Sequence, residues 1–178
     1  MWWLNLAKIR TADERFDHVY RADEFVPGEE PFVVSGPVTL GFDIHKDKDR
    51  FHLTGGVRAT LQLPCSRCLE PFAMPVDASF DLRYEPRQDT SSARETEVRE
   101  DDFSTAYYDD QQVDLRQLMS EQFHLAAPMK PLCVEGCRGL CPQCGGNLNR
   151  ETCACAVGWQ DPRLAPLKGL VSRPRRDH

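Results

Sequence analysis

Between Phe32 and Tyr84 apolar and polar residues alternate with a period of two. Val38, Leu40, Phe42 and Ile44 are separated by Thr39, Gly41 and Asp43. A polar turn, His45 to Arg50, follows, and then Phe51 and Leu53 resume the alternation. Val57, Ala59, Leu61 and Leu63 carry it on, and Phe72, Met74, Val76, Ala78, Phe80, Leu82 and Tyr84 form a third run. Strict alternation places one side of each strand in a core and the other in water. Connections this short favour antiparallel pairing. The pattern predicts an antiparallel β-meander of at least three strands, with a partly closed barrel as the alternative to an open sheet. Gly55-Gly56 is a candidate bulge in the second run. Phe16, His18 and Tyr20 alternate in a short upstream strand, and Pro27-Gly28 reads as a turn.

The period changes after Asp110. Asp114 is a helix-capping residue. Leu115, Leu118, Met119, Gln122 and Ala126 then share one face, and Pro128 ends the helix. That stripe reads as a face packed across the sheet. The fold class is therefore α+β: a meander, one packing helix and a cysteine-rich C-terminal segment. The organisation is a sheet domain with its helix over residues 1–127, then a metal-binding segment and basic tail over 128–178.

Charge changes this picture in two places. Residues 85–110 hold nine acidic side chains against Arg87, Arg94 and Arg99. This composition reads as a mobile acidic loop. At the other end, Arg163, Lys168, Arg173, Arg175 and Arg176 face a single acid, Asp177. Leu164, Leu167, Leu170 and Val171 have helical spacing between them. The whole chain has a net charge of −6, which argues against a non-specific nucleic-acid coat but leaves room for a local basic contact. Asn5, Lys8 and Arg10 interrupt the apolar start, so neither a signal peptide nor a membrane span is expected, and the location expected is cytoplasmic.

In a reducing compartment the eight cysteines point to metal chemistry rather than disulfides. Cys141-Pro142-Gln143-Cys144-Gly145 is a knuckle: two intervening residues let both sulfurs face one ion. The following glycine supplies a positive φ and frees backbone N–H groups for the sulfurs. A tetrahedral site needs two further ligands. Cys153 and Cys155, reached over the short Gly145–Thr152 loop, are the favoured pair. Cys133 and Cys137, or one member of each pair, are the alternatives. With no histidine in the stretch, an all-sulfur structural zinc site is expected, although four thiolates also suit iron.

Cys65-Ser66-Arg67-Cys68 is a second such spacing, at the tip between two strands. Three readings stand: a second knuckle completed by Cys133 and Cys137, a redox pair, or a turn whose cysteines pack. A thioredoxin-like motif would open a helix, whereas strands flank this one. Arg67, Arg173, Arg175 and Arg176 are candidate phosphate contacts. The five histidines are scattered, and no nucleophile motif or phosphate-cradling loop is present, so no catalytic residues are expected and the chain reads as a non-enzyme.

The segment Cys65-Ser66-Arg67-Cys68-Leu69-Glu70-Pro71-Phe72 resembles the Cys-x-Arg-Cys box of the YceD family. The resemblance continues through the helix from Asp114, through Cys137-Arg138-Gly139-Leu140-Cys141-Pro142-Gln143-Cys144-Gly145 and Asn147-Leu148-Asn149, and through Asp161-Pro162-Arg163-Leu164-Ala165-Pro166-Leu167. It implies a bacterial or organellar factor needed for accumulation of large-subunit ribosomal RNA. Its partner would be precursor large-subunit ribosomal RNA or a large-subunit ribosomal protein, with neither a membrane nor a small-molecule substrate. The alternatives are a protein-binding adapter without RNA contact, which would use the acidic segment, and a thiol oxidoreductase using Cys65 and Cys68.

Overall fold

The computed structural model describes residues 2–25, 30–87, 105–155 and 163. Pro27-Gly28, most of the acidic segment, the apolar repeat from Leu164 to Val171 and Arg173, Arg175 and Arg176 lie outside the described residues.

The alternating runs become strands β4 (Val38–Asp47), β5 (Arg50–Pro64) and β6 (Pro71–Pro86), an antiparallel meander at the centre of the larger sheet. Val38, Leu40, Phe42 and Ile44 are buried from β4, and Leu53, Val57, Leu61 and Leu63 from β5, as the period of two requires. Upstream lie β1 (Trp3–Asn5), β2 (Asp13–Tyr20) and β3 (Val33–Val34). Strand β2 pairs antiparallel with β4 along its whole length, and β3 pairs with β5 at Gln62 and Leu61, beyond the end of β4.

The sheet is open. Its order is β2-β4-β5-β6 followed by β7 (Thr105–Tyr108), and among the described residues the outer strands β2 and β7 do not pair, so the barrel alternative is corrected to an open α+β sheet. Strand β7 (Thr105–Tyr108) runs parallel to β6, with Arg83 opposite Thr105 and Pro86 opposite Tyr108. Both ends of the acidic segment thus belong to the sheet, where Arg87 pairs with Asp109 at 3.5 Å. Along residues 71–82 the outer side of β6 carries no partner strand among the described residues, which accommodates Pro75 and its missing N–H.

The candidate bulge at Gly55-Gly56 is also corrected. Register runs unbroken from Asp43↔Thr54 through Phe42↔Gly55 to Gly41↔Gly56. The glycine is required for close approach instead. A Cβ on Gly55 would lie 2.2 Å from the Gly41 carbonyl oxygen and 2.4 Å from Phe42 Cβ.

Helix α1 (Leu115–Ala126) begins where the sequence expects, directly after β8 (Gln112–Asp114), the partner of β1. The Asp114 carboxylate accepts from the Arg116 and Gln117 N–H groups at 2.8 and 3.2 Å. Asp114→Ala should therefore cost about 1 kcal/mol, seen as a lower denaturant midpoint at constant slope. The buried face is Leu115, Leu118, Met119, Gln122 and Phe123; Ala126 is exposed and Phe123 takes its place. Phe123 meets the Phe32 ring edge-on at 5.9 Å and lies 6.3 Å from Phe25. Trp2 stacks on Tyr20 at 4.7 Å, with the Arg116 guanidinium 4.5 Å from its ring centroid, which ties the amino-terminal strand to β2 and the helix. Among the described residues no helix is long and apolar enough to cross a membrane.

Candidate metal centre

The hairpin of β5 and β6 is paired out to Leu63↔Phe72 and Pro64↔Pro71, which leaves Cys65 to Glu70 as its tip. The tip is a tight turn: the Leu69 N–H donates to the Cys65 carbonyl at 2.9 Å, and the Cys65 N–H donates to Glu70 O at 2.9 Å. The chain after the helix folds back onto it, with Ser66 N–H donating to Pro131 O at 2.8 Å. Arg67 fastens the contact, its Nη1 lying 2.8 Å from the Cys137 carbonyl oxygen and 3.4 Å from that of Glu135. The side chain considered for phosphate thus serves as an internal clamp.

This docking assembles Cys65, Cys68, Cys133 and Cys137, the inner cluster. Cys65, Cys68 and Cys137 are buried against Phe72, Leu132 and Leu140. Sulfur separations are 3.7 Å for Cys65–Cys137 and 3.7 Å for Cys68–Cys133. The outer cluster is Cys141, Cys144, Cys153 and Cys155, with Cys144–Cys153 at 3.5 Å and Cys141–Cys153 at 3.4 Å. It is more open, with Cys144 exposed and Cys153 and Cys155 half-buried. All eight thiols are free. Four sulfurs at about 2.3 Å from one tetrahedral zinc stand about 3.8 Å apart, close to both sets of separations. Either cluster could hold a metal ion, and all-sulfur donors suit zinc or iron.

The two knuckles share one backbone design. In the outer one the Gly145 N–H donates to the Cys141 carbonyl at 2.9 Å, and Gly145 has φ 72°. Leu69 holds the equivalent place in the inner knuckle with φ 60° and is 64 % exposed. A left-handed leucine costs about 1–2 kcal/mol, and glycine gives back roughly 0.5–1 kcal/mol of that in unfolded-state entropy. Leu69→Gly should raise stability by about 0.5–1 kcal/mol, read from the thermal midpoint.

Backbone donors polarise the clusters. The N–H of Cys68, with those of Cys133 and Arg67, lowers the Cys65 thiol to about 6. The N–H groups of Cys144 and Gln143 likewise lower Cys141 to about 6. Burial and the neighbouring thiols push Cys133 up to about 12, and Cys153 and Cys144 push Cys155 up to about 12. Sulfurs this close resist sharing negative charge, and a bound cation removes that conflict.

The sequence missed Asn149, which donates from Nδ2 to Cys137 Sγ at 3.3 Å, and the Arg150–Glu70 ion pair at 2.9 Å. The only signals were membership of the Asn147-Leu148-Asn149 run for Asn149 and of the Cys65–Phe72 box for Glu70, and Arg150 carried none.

Fold and site together define a small open-sheet protein with a two-cluster cysteine module mounted on a hairpin tip. The chain belongs to the YceD family, described as large ribosomal RNA subunit accumulation protein, whose model matches residues 53–171. It is similar to the chloroplastic YCED homolog 1 of Zea mays, with 27 % identity over 161 residues covering 75 % of this chain and 53 % of that one. The Arabidopsis thaliana homolog 1 is 26 % identical over 155 residues, covering 75 % and 48 %. An uncharacterised Mycobacterium tuberculosis protein is 34 % identical over 100 residues, covering 56 % of this chain and 45 % of its own. The chain spans about half the length of these curated relatives. No solved structure matches it.

Proposed function

We propose that the chain is a non-enzymatic, cytoplasmic ribosome-biogenesis factor that promotes accumulation of large-subunit ribosomal RNA by binding the precursor RNA or a large-subunit ribosomal protein. The observation that carries this is the family match over residues 53–171, which spans the hairpin tip, the helix and both cysteine clusters. In this reading each cluster holds one structural zinc ion, which would cross-link a segment too poor in apolar residues to fold alone. Burial of Cys65 within a four-sulfur group supports a structural over an oxidoreductase role for the tip. The test is cellular: loss of the protein should lower mature large-subunit RNA relative to small-subunit RNA. An unchanged ratio overturns the reading.

A specific observation favours the adapter form of this function. On the exposed sheet face the arginines are engaged: Arg15 by Asp17 and Asp43 at 2.9 Å each, Arg58 by Asp77 at 3.0 Å. Of the phosphate contacts expected from the sequence, Arg67 is engaged at the hairpin tip, which leaves Arg173, Arg175 and Arg176. Replacing all three by Ala should lower the salt dependence of precursor RNA binding by about 2–3 in log–log slope if they touch phosphate. Binding that ignores salt and this change favours capture of a basic protein instead. Converting Asp89, Glu95, Glu97, Glu100, Asp101 and Asp102 to their amides should then abolish that capture.

A further inference from the structure

The loop from Gly145 to Thr152 joins the two halves of the outer cluster, yet its Asn147, Asn149 and Arg150 side chains reach toward the inner one. Asn149 occupies the centre of the contact. Its Nδ2 donates to Cys137 Sγ at 3.3 Å and to Asn147 Oδ1 at 2.9 Å, while its Oδ1 accepts from the Arg138 N–H at 2.7 Å. Asn147 donates in turn toward Glu70 Oε1 at 3.4 Å, and Arg150 pairs with Glu70 Oε2 at 2.9 Å. Glu70 belongs to the inner hairpin tip. The Leu148 N–H donates to Gly139 O at 2.9 Å. Gly139, at φ 74°, is pressed on Arg67 so closely that a Cβ would sit 3.1 Å from its carbonyl oxygen. The outer loop therefore lies folded over the inner knuckle.

We propose that the two clusters are energetically coupled metal sites, and that Asn149 is the positioning residue through which loading of the outer site strengthens the inner one. The proposal rests on the reading that both clusters hold a metal. Four thiolates around a divalent cation leave a net charge of −2, and an N–H donor aimed at one sulfur stabilises that charge. The donor acts only while its loop is closed. An ion joining Cys141 and Cys144 to Cys153 and Cys155 closes the loop and removes its ordering entropy before Asn149 engages Cys137. Coupling of this kind is reciprocal, so loading the inner site strengthens the outer one by the same factor.

Cobalt(II) titration of the full chain tests this, with Cys153→Ser/Cys155→Ser isolating the inner site and Cys65→Ser/Cys68→Ser the outer. The inner-site dissociation constant should rise about 10–100-fold when the outer pair is removed. Asn149→Ala, with the outer site intact, should weaken the inner site by a similar factor. The two changes combined should add little to either alone. The inner site's sulfur-to-cobalt charge-transfer band should also move to lower energy in Asn149→Ala and in Asn149→Asp. The aspartate keeps the acceptor for Arg138 and lacks the donor, which separates the hydrogen bond from loop collapse. An inner site of parental affinity without the outer pair or in Asn149→Ala, an outer site of parental affinity without the inner pair, additive losses, or an unmoved band overturns the coupling. A parental chain that takes up cobalt at one cluster or none overturns the two-metal reading itself.

Discussion

Protein prepared under reducing conditions is expected to hold two zinc ions per chain, and Cys137→Ser is expected to hold one. Cys137 is 2 % exposed and closes the inner cluster against Cys65, and its own carbonyl oxygen accepts from Arg67. Removing its sulfur should release the ion and undock the segment from Pro131 to Gly139 from the hairpin tip. The effect is large because structural zinc contributes on the order of 10–16 kcal/mol in zinc-finger peptides. Native mass spectrometry reads the stoichiometry; amide exchange at Ser66, which donates to Pro131 O, reads the docking, and exchange at position 137, which donates to Val134 O, reads the turn of the docked segment. Acidification should release both ions, because protons compete with the metal for thiolates and affinity falls with pH. Fully reduced protein that carries no metal yet protects these amides would count decisively against the metal reading.

The second large effect belongs to the core. Phe123→Ala should cost about 3–5 kcal/mol, since the ring is buried at 1 % exposure. It bridges the helix to Phe32 and Phe25, so its loss opens a cavity between α1 and the segments that carry these two rings. At roughly 3 °C per kcal/mol for a chain of this size, the thermal midpoint should fall by about 10–15 °C. A fall under about 3 °C would mean that the helix is not held by this contact. The metal content should be unchanged, which separates the core from the cysteine module.

Local patterns in the sequence reported what local physics decides. The alternation from Val38 to Leu63 predicted β4 and β5 because their inward side chains had to be apolar, and Asp114 announced the helix through its carboxylate. What depended on contact between distant segments was less legible. Thr105 to Tyr108 is too short, and too close to acids, to register as a strand; only its position beside β6 makes it one. Gly55 resembled a bulge because its actual cause, the Gly41 carbonyl on the adjoining strand, lies fourteen positions away in sequence. The helix stripe placed Ala126 inward, whereas Phe123 reaches Phe25 and Phe32 from beyond the edge of the inferred face. The same limit applied at the cysteines. The Cys141 knuckle is visible in five residues, but the grouping of Cys65 and Cys68 with Cys133 and Cys137 requires the chain after the helix to return to the hairpin. The signal for the inner knuckle was weaker still, since Leu69 stands where a glycine would have marked it.

The unbroken β5–β6 hairpin has a mechanical consequence. Thirteen steps of paired strand, about 40 Å of contour at ~3.3 Å per residue, join Phe51 and Tyr84 in the core to Pro64 and Pro71 at the base of the tip. The paired register sets how far the cysteine module stands from the helix-backed end. A ligand touching both ends would be measured against that length as against a caliper.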